Sequence, residues 1–132
     1  MSLVTIIIPY KNNLKYLFFA LESIFFQTYK KYKIIIIYDN EDKKDLKNIK
    51  RFISKKKNIK KFHIKIIINK KNLGAGESRN IGIRFSKTKY IAFLDSDDVW
   101  HKDKLKLQLN YMTINQIPIS HTSYNIINEL GD

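Results

Sequence analysis

Ile34-Ile-Ile-Ile-Tyr38 runs straight into Asp39-Asn-Glu-Asp42. A strand with one wet face alternates apolar and polar residues. Five apolar residues in succession instead read as a strand covered on both faces, as in a parallel sheet. Val4-Thr-Ile-Ile-Ile8, ended by Pro9, has the same character, as do residues 62–68 and residues 90–94, which end at Asp95. Helical patterns separate these runs. Residues 14–28 place Leu14, Leu17, Phe18, Leu21, Ile24 and Phe25 at helical spacing. Asp42 is expected to cap a helix over residues 43–54, and a solvated basic turn follows over 55–61. Residues 77–86 carry Ile81 and Phe85 on one face, and residues 102–115 carry Leu105, Leu109 and Met112. Residues 117–127 are expected to form a last strand and its approach. Repeated βα units of this length make a doubly wound α/β domain. Ligands of such sheets bind beyond the carboxyl ends of the strands, so the informative segments are 9–12, 39–42, 69–79 and 95–100.

Composition narrows the field. The chain has 132 residues, 44% of them hydrophobic and 13% aromatic, which supplies a real core and argues against disorder. It has no cysteine, which excludes a disulfide framework, a thiolate metal site and a cysteine nucleophile. No apolar run is long enough to span a bilayer, and no signal peptide is read at the start. A cytoplasmic location is the default, either free or at the inner face of the plasma membrane. The net charge of +13 is local: residues 43–71 hold thirteen Lys/Arg and a single acid, Asp45. Such a block suits nucleic acid or an anionic membrane, or is a solvated face in a lysine- and isoleucine-rich chain. Neither an RNA-recognition aromatic motif nor a helix-turn-helix signature accompanies it, and no nucleic-acid partner is expected.

Two constellations carry chemistry. Asp95-Ser96-Asp97-Asp98 sets three carboxylates at a strand end, where a hard divalent cation would relieve their repulsion and bridge to a diphosphate. The competing reading is a helix N-cap with solvated acids. An EF-hand is excluded, because its glycine and glutamate positions hold Trp100 and Lys106. The second is Asn72-Leu-Gly74-Ala-Gly76-Glu-Ser-Arg79-Asn80. Glycines before a helix let backbone N–H groups approach an anion, and Arg79 suits a phosphate. The competing reading is a plain turn and helix start. Arg79 stands where a dinucleotide fingerprint needs glycine, and no Walker lysine follows. Asp39, after its strand, suits a ribose or base contact, or is a loop acid. Trp100 is read either as a stacking residue or as a packing residue.

Five stretches occur together in order: residues 4–12, residues 21–29, residues 34–40, Asn72 to Asn80, and Tyr90-Ile-Ala-Phe-Leu-Asp-Ser-Asp-Asp98. With these the chain resembles the family 2 glycosyltransferases. The resemblance implies a GT-A fold, a Rossmann-like three-layer α/β/α sandwich with a mostly parallel sheet. It implies a metal-assisted, inverting transfer from a nucleotide-sugar donor, a UDP-sugar in most relatives, to an acceptor hydroxyl on a sugar, a lipid-linked glycan or a protein. Pro9, Tyr10, Asn12, Asp39, Gly74, Arg79, Asp95, Ser96 and Asp97 would bind the nucleotide, with Asp39 on the base. Asp97 and Asp98 would hold Mn²⁺ or Mg²⁺. Peripheral membrane contact accompanies this reading, and oligomerisation is compatible with it. Three positions depart from the pattern: Lys11 for tyrosine, Tyr38 for the first of two aspartates, and Ser78 for alanine. Residues 1–132 read as one such domain truncated after the DxD segment, with the catalytic base expected in the missing C-terminal half. A non-catalytic nucleotide-sugar-binding fragment is the alternative, and a basic nucleic-acid-binding module ranks below it.

Overall fold

The four apolar runs pair into one sheet. The computed structural model describes residues 3–57, 59 and 63–131. Asn58, Lys60, Lys61 and Phe62, expected in the turn before the third strand and at its start, lie outside the described residues. In chain order the elements are β1 (Val4–Tyr10), α1 (Leu14–Phe25), β2 (Tyr32–Tyr38), α2 (Leu46–Ser54), β3 (Ile64–Ile68), α3 (Ala75–Phe85), β4 (Tyr90–Phe93) and α4 (Lys104–Asn115). The sheet order is β3-β2-β1-β4 and every pair is parallel, as the absence of alternation requires. Among the described residues no helix is long and apolar enough to cross a membrane.

Both faces of the central strands are buried, but unequally. Ile6, Ile8, Tyr10, Ile34, Ile36 and Tyr38 pack beneath Leu17, Leu21 and Ile24 of α1, Ile49 of α2, and Leu105 and Leu109 of α4. Each such side chain stabilises the fold by about 1.5–3 kcal/mol. Ile7, Ile35 and Ile37 face the other way, beside Ile67 of β3 and against Ile81 of α3. There the cover thins, and Ile91 and Phe93 stay exposed. α3 lies close to the sheet because residue 82 is glycine: a Cβ there would meet Ile7 Cγ2 at 2.5 Å and Cδ1 at 2.9 Å.

Pro9 does not end β1; it ends only one side of it. The carbonyls of Leu3 and Ile7 accept from Tyr90 and Leu94, whereas that of Tyr10 accepts from Asp39. Odd positions therefore bond toward β4 and even positions toward β2. Pro9 is the next odd position and has no N–H, so the β1–β4 ladder stops while β1 continues along β2 to Tyr10↔Tyr38. The two strands part at their carboxyl ends.

Several expected boundaries are corrected. α2 begins at Leu46, not at residue 43, because Asp42 turns inward to its own loop: its Oδ1 accepts from Lys44 N at 2.9 Å and its carbonyl accepts from Tyr38 OH at 2.7 Å. Asp45, at the cap position, instead accepts from Tyr10 OH at 2.6 Å. α1 stops at Phe25, since buried Gln27 donates to His101 O at 2.8 Å and accepts from Leu105 N at 3.1 Å, tying α1 to α4. Residues 117–127 form no strand. No described sheet edge pairs with them, and Ile119 and Ile126 are 82% and 90% exposed despite their β-forming character.

Gly82→Ala is expected to lower the thermal midpoint. Overpacking against fully buried Ile7 costs about 1–3 kcal/mol, more than the gain of up to about 1 kcal/mol in helix propensity. Calorimetry of the variant and of Gly82→Ala/Ile7→Val, expected to recover part of the loss, checks the contact.

Candidate functional site

Where β1 and β4 part, the strand order also reverses, and this is where open α/β sheets bind ligands. A cleft of about 510 Å³ opens there. Pro9, Tyr10, Asn12, Asp39, Gly74, Arg79, Asp95, Ser96 and Asp97, expected from sequence to bind nucleotide, all line it. Asp98 stands just behind Asp97 and is not part of the lining. Lys11, Asn13, Tyr16, Asn72 and Ala75 complete the wall, and no described residue of the basic block 43–71 contributes.

Asp39 organises the cleft's far side. It is only 3% exposed, and each carboxylate oxygen accepts twice. Oδ1 takes Asn69 Nδ2 and Leu73 N, each at 2.8 Å, and Oδ2 takes Gly74 N at 2.8 Å and Asn72 Nδ2 at 3.1 Å. Asn72 Nδ2 also donates to the Asp39 carbonyl at 2.8 Å. A buried carboxylate needs such donors, and here they fold residues 69–74 over the end of β2. Gly74 adopts φ 87°, a conformation glycine takes without strain, and opens α3 with its N–H on Asp39. Asn69 reaches on to Ser78 Oγ at 3.3 Å, and Ser78 is fully buried. The serine that departs from the family pattern thus joins the same polar clamp. Sequence reasoning singled out Asp39 but missed Asn69 and Ser78. The available signal was a buried acid followed by two asparagines in one loop.

The other departures are also accommodated. Tyr38 packs its ring 5.4 Å from that of Tyr10, beneath the Lys43 ammonium. Lys11 lends its carbonyl to Asn40 Nδ2 at 2.7 Å. Burial, then the bond to Asp45 and its charge, hold the Tyr10 phenol far above its usual range, so it stays a neutral donor. Asn13 takes the left-handed conformation that asparagine tolerates, φ 68°, and caps α1 at the cleft floor.

The acids form a tight turn, closed by Asp98 N donating to the Asp95 carbonyl at 3.1 Å. Arg79 Nη2 reaches Asp95 Oδ1 at 2.6 Å across the cleft. Burial, then the charges of Asp97 and Asp95, raise the Asp98 carboxyl above the usual range. Asp97 and Asp98 thus carry negative charge that no described cation pairs. The capping reading fails, since the next helix starts only at Lys104. No group of three or more His, Asp or Glu among the described residues makes a self-sufficient metal cage. Two carboxylates open to solvent fit an ion that completes its shell with phosphate and water, as Mg²⁺ does. Trp100 packs on the core with Lys104 over its ring at 4.9 Å, and not in the cleft.

Asp39→Ala is expected to cost about 3 kcal/mol or more, because it strands four donors at once. Hydrogen exchange should show lost protection at the Leu73 and Gly74 amides, while amides at the centre of β1 lose it only to the extent of global destabilisation.

Residues 5–126 match the family model for Glycosyl transferase family 2. An uncharacterized glycosyltransferase of Rickettsia felis is 43% identical over 97% of this chain, which spans 20% of that protein. The UDP-Glc:alpha-D-GlcNAc-diphosphoundecaprenol beta-1,3-glucosyltransferase WfgD of Escherichia coli is 30% identical over 96% of the chain, which spans 47% of it. The chain therefore spans between a fifth and a half of these relatives. Among solved structures, S. aureus TarS 1-349 in complex with UDP superposes with a TM-score of 0.73 at 23% identity, covering 88% of this chain and 33% of that one. The mannosyltransferase PcManGT of Pyrobaculum calidifontis, in complex with GDP-Man and Mn²⁺, gives 0.74 at 17% identity, over 83% and 32%. These two likenesses concern the fold, which is that of GT-A transferases. With the family model matched over nearly its whole length, the chain belongs to glycosyl transferase family 2.

Proposed function

We propose that this chain is the donor-binding part of an inverting, metal-assisted glycosyltransferase that uses a UDP-sugar. The observation that carries the reading is the cleft at the β1/β4 parting, where a clamped glycine turn, an arginine and an acidic turn converge. The WfgD name specifies UDP-Glc and a diphosphoundecaprenol-linked acceptor, and the TarS structure holds UDP. Both support a uridine donor, and the first supports a lipid-linked acceptor hydroxyl.

Each wall has a task. Pro9, Tyr10, Asn12 and Asp39 border the nucleoside end. The α3 N-terminus, opened at Gly74, and Arg79 face the diphosphate, where backbone N–H groups and a guanidinium favour negative charge. Arg79 exchanges Asp95 for a phosphate oxygen when the donor enters. Asp97 and Asp98 would hold Mg²⁺ or Mn²⁺. The ion, when bound, stabilises charge on the departing diphosphate. In the transfer the acceptor oxygen bonds to the anomeric carbon from the side opposite the diphosphate, and its proton passes to a base. The bond to the diphosphate breaks with its electron pair, which inverts the configuration.

Asp39 qualifies this picture. All four of its acceptor positions are used by the protein, so a base N–H must displace Asn72 or an amide to reach it. Its first task is to set the loop that the donor meets.

Thermal unfolding with UDP, GDP and CDP, each with and without Mn²⁺, tests the proposal. UDP with Mn²⁺ should raise the midpoint by the equivalent of about 2.7 kcal/mol at a hundredfold excess over Kd. Asp97→Ala and Asp98→Ala should remove the Mn²⁺ dependence, and Arg79→Ala should weaken UDP with or without metal. Absence of a shift with every nucleotide would overturn the donor-site reading.

A further inference from the structure

α2 has one face with no acidic residue and no neutralising partner. Leu46, Ile49, Phe52 and Ile53 turn inward to the core. Lys47, Lys50, Arg51, Lys55 and Lys57, on the helix and just after it, are exposed. Neighbouring cations are occupied: Lys44 pairs with Asp42, Lys56 with Glu22, and Lys43 donates to the carbonyls of Asn40 and Asn69. The five exposed cations make no ion pair among the described residues. Beside them an aliphatic groove of about 450 Å³ runs between α2 and β3, lined by Ile53, Ile64 and Ile66 with Lys50 and Ser54. Among the described residues β3 pairs only with β2 and is an edge strand of the sheet.

We propose that the α2 cationic face and the α2–β3 groove together dock the protein on an anionic phospholipid bilayer. Charge complementarity selects a dense array of phosphates for the five cations. The isoleucine groove selects a partner with aliphatic matter directly beneath that charge, which a bilayer supplies at the headgroup–acyl boundary. Nucleic acid offers the first and not the second. Single-strand binding also wants exposed aromatic platforms, yet Phe52 is stacked on Phe18 at 4.0 Å, turned into the protein. A free phosphate would want converging buried donors, whereas these cations are spread along a surface. None of the five lines the cleft, so docking leaves donor entry clear and stands independently of the donor-site reading.

Sedimentation with vesicles of phosphatidylcholine containing about 30% phosphatidylglycerol, at about 0.1 M salt, tests this. The protein should pellet with these vesicles and not with pure phosphatidylcholine, and the bound fraction should fall as salt rises. Each cation removed should lower partitioning about fivefold, so Lys47→Gln/Lys50→Gln/Arg51→Gln/Lys55→Gln should lose at least a hundredfold. Its unliganded thermal midpoint should match the parent; if it does not, Lys50→Gln and Lys55→Gln alone carry the test at about fivefold each. Equal binding to pure phosphatidylcholine, or undiminished binding of the variants, would overturn the proposal. Two competitors are run at matched phosphate concentration. Tighter binding to a single-stranded DNA oligonucleotide would assign the face to nucleic acid. Displacement from vesicles by glycerol 3-phosphate would assign it to a soluble anion.

Discussion

A carboxylate removed from water must be surrounded by donors, and Asp39 meets that demand with two side-chain amides and two backbone N–H groups. The cleft follows from this one arrangement. It holds the glycine turn against the end of β2, sets the start of α3, and so fixes the height at which Arg79 stands opposite Asp95. The clamp lies at the tip of a strand whose last five residues, 34–38, are all buried. Its position is therefore inherited from the sheet.

The acidic turn is built on the opposite principle. Asp39 is saturated with donors, whereas Asp97 and Asp98 are left with their repulsion, and partial desolvation raises the cost of charge at Asp98. The cleft thus has one carboxylate that serves as scaffold, Asp39, one paired with Arg79, Asp95, and one that lacks a counter-charge, Asp97, with Asp98 unpaired next to it in the chain. This asymmetry separates the wall that shapes the ligand from the wall that waits for an ion.

The sheet was legible because runs such as Ile34–Tyr38 admit only a strand covered twice. The cleft was legible because chemistry-bearing residues stood directly after those runs. What escaped was set by contacts distant in sequence. Gln27 ends α1 through partners about seventy-five residues away, and Asp45 gives up a helix cap for the Tyr10 hydroxyl. Neither competition is visible in local propensity. Residues 117–127 show the reverse failure: β-branched composition proposes a strand, and only the presence of a free neighbour makes one. Asn69 and Ser78 look like a loop residue and a helix residue until Asp39 is seen between them.

The strand order also sets a schedule. β1 leaves the ribosome before the other three strands of this sheet, and its first neighbour, β2, follows within about thirty residues. Its other neighbour is β4, whose Tyr90 meets Val4 eighty-six positions later in the chain. At about 5–20 residues per second, that side of β1 stays bare for several seconds while β2 and β3 are already available to pair. The missing N–H of Pro9 shortens the stretch of backbone that a foreign strand could template upon during that wait. The proline that spreads the mature cleft therefore also guards the nascent chain.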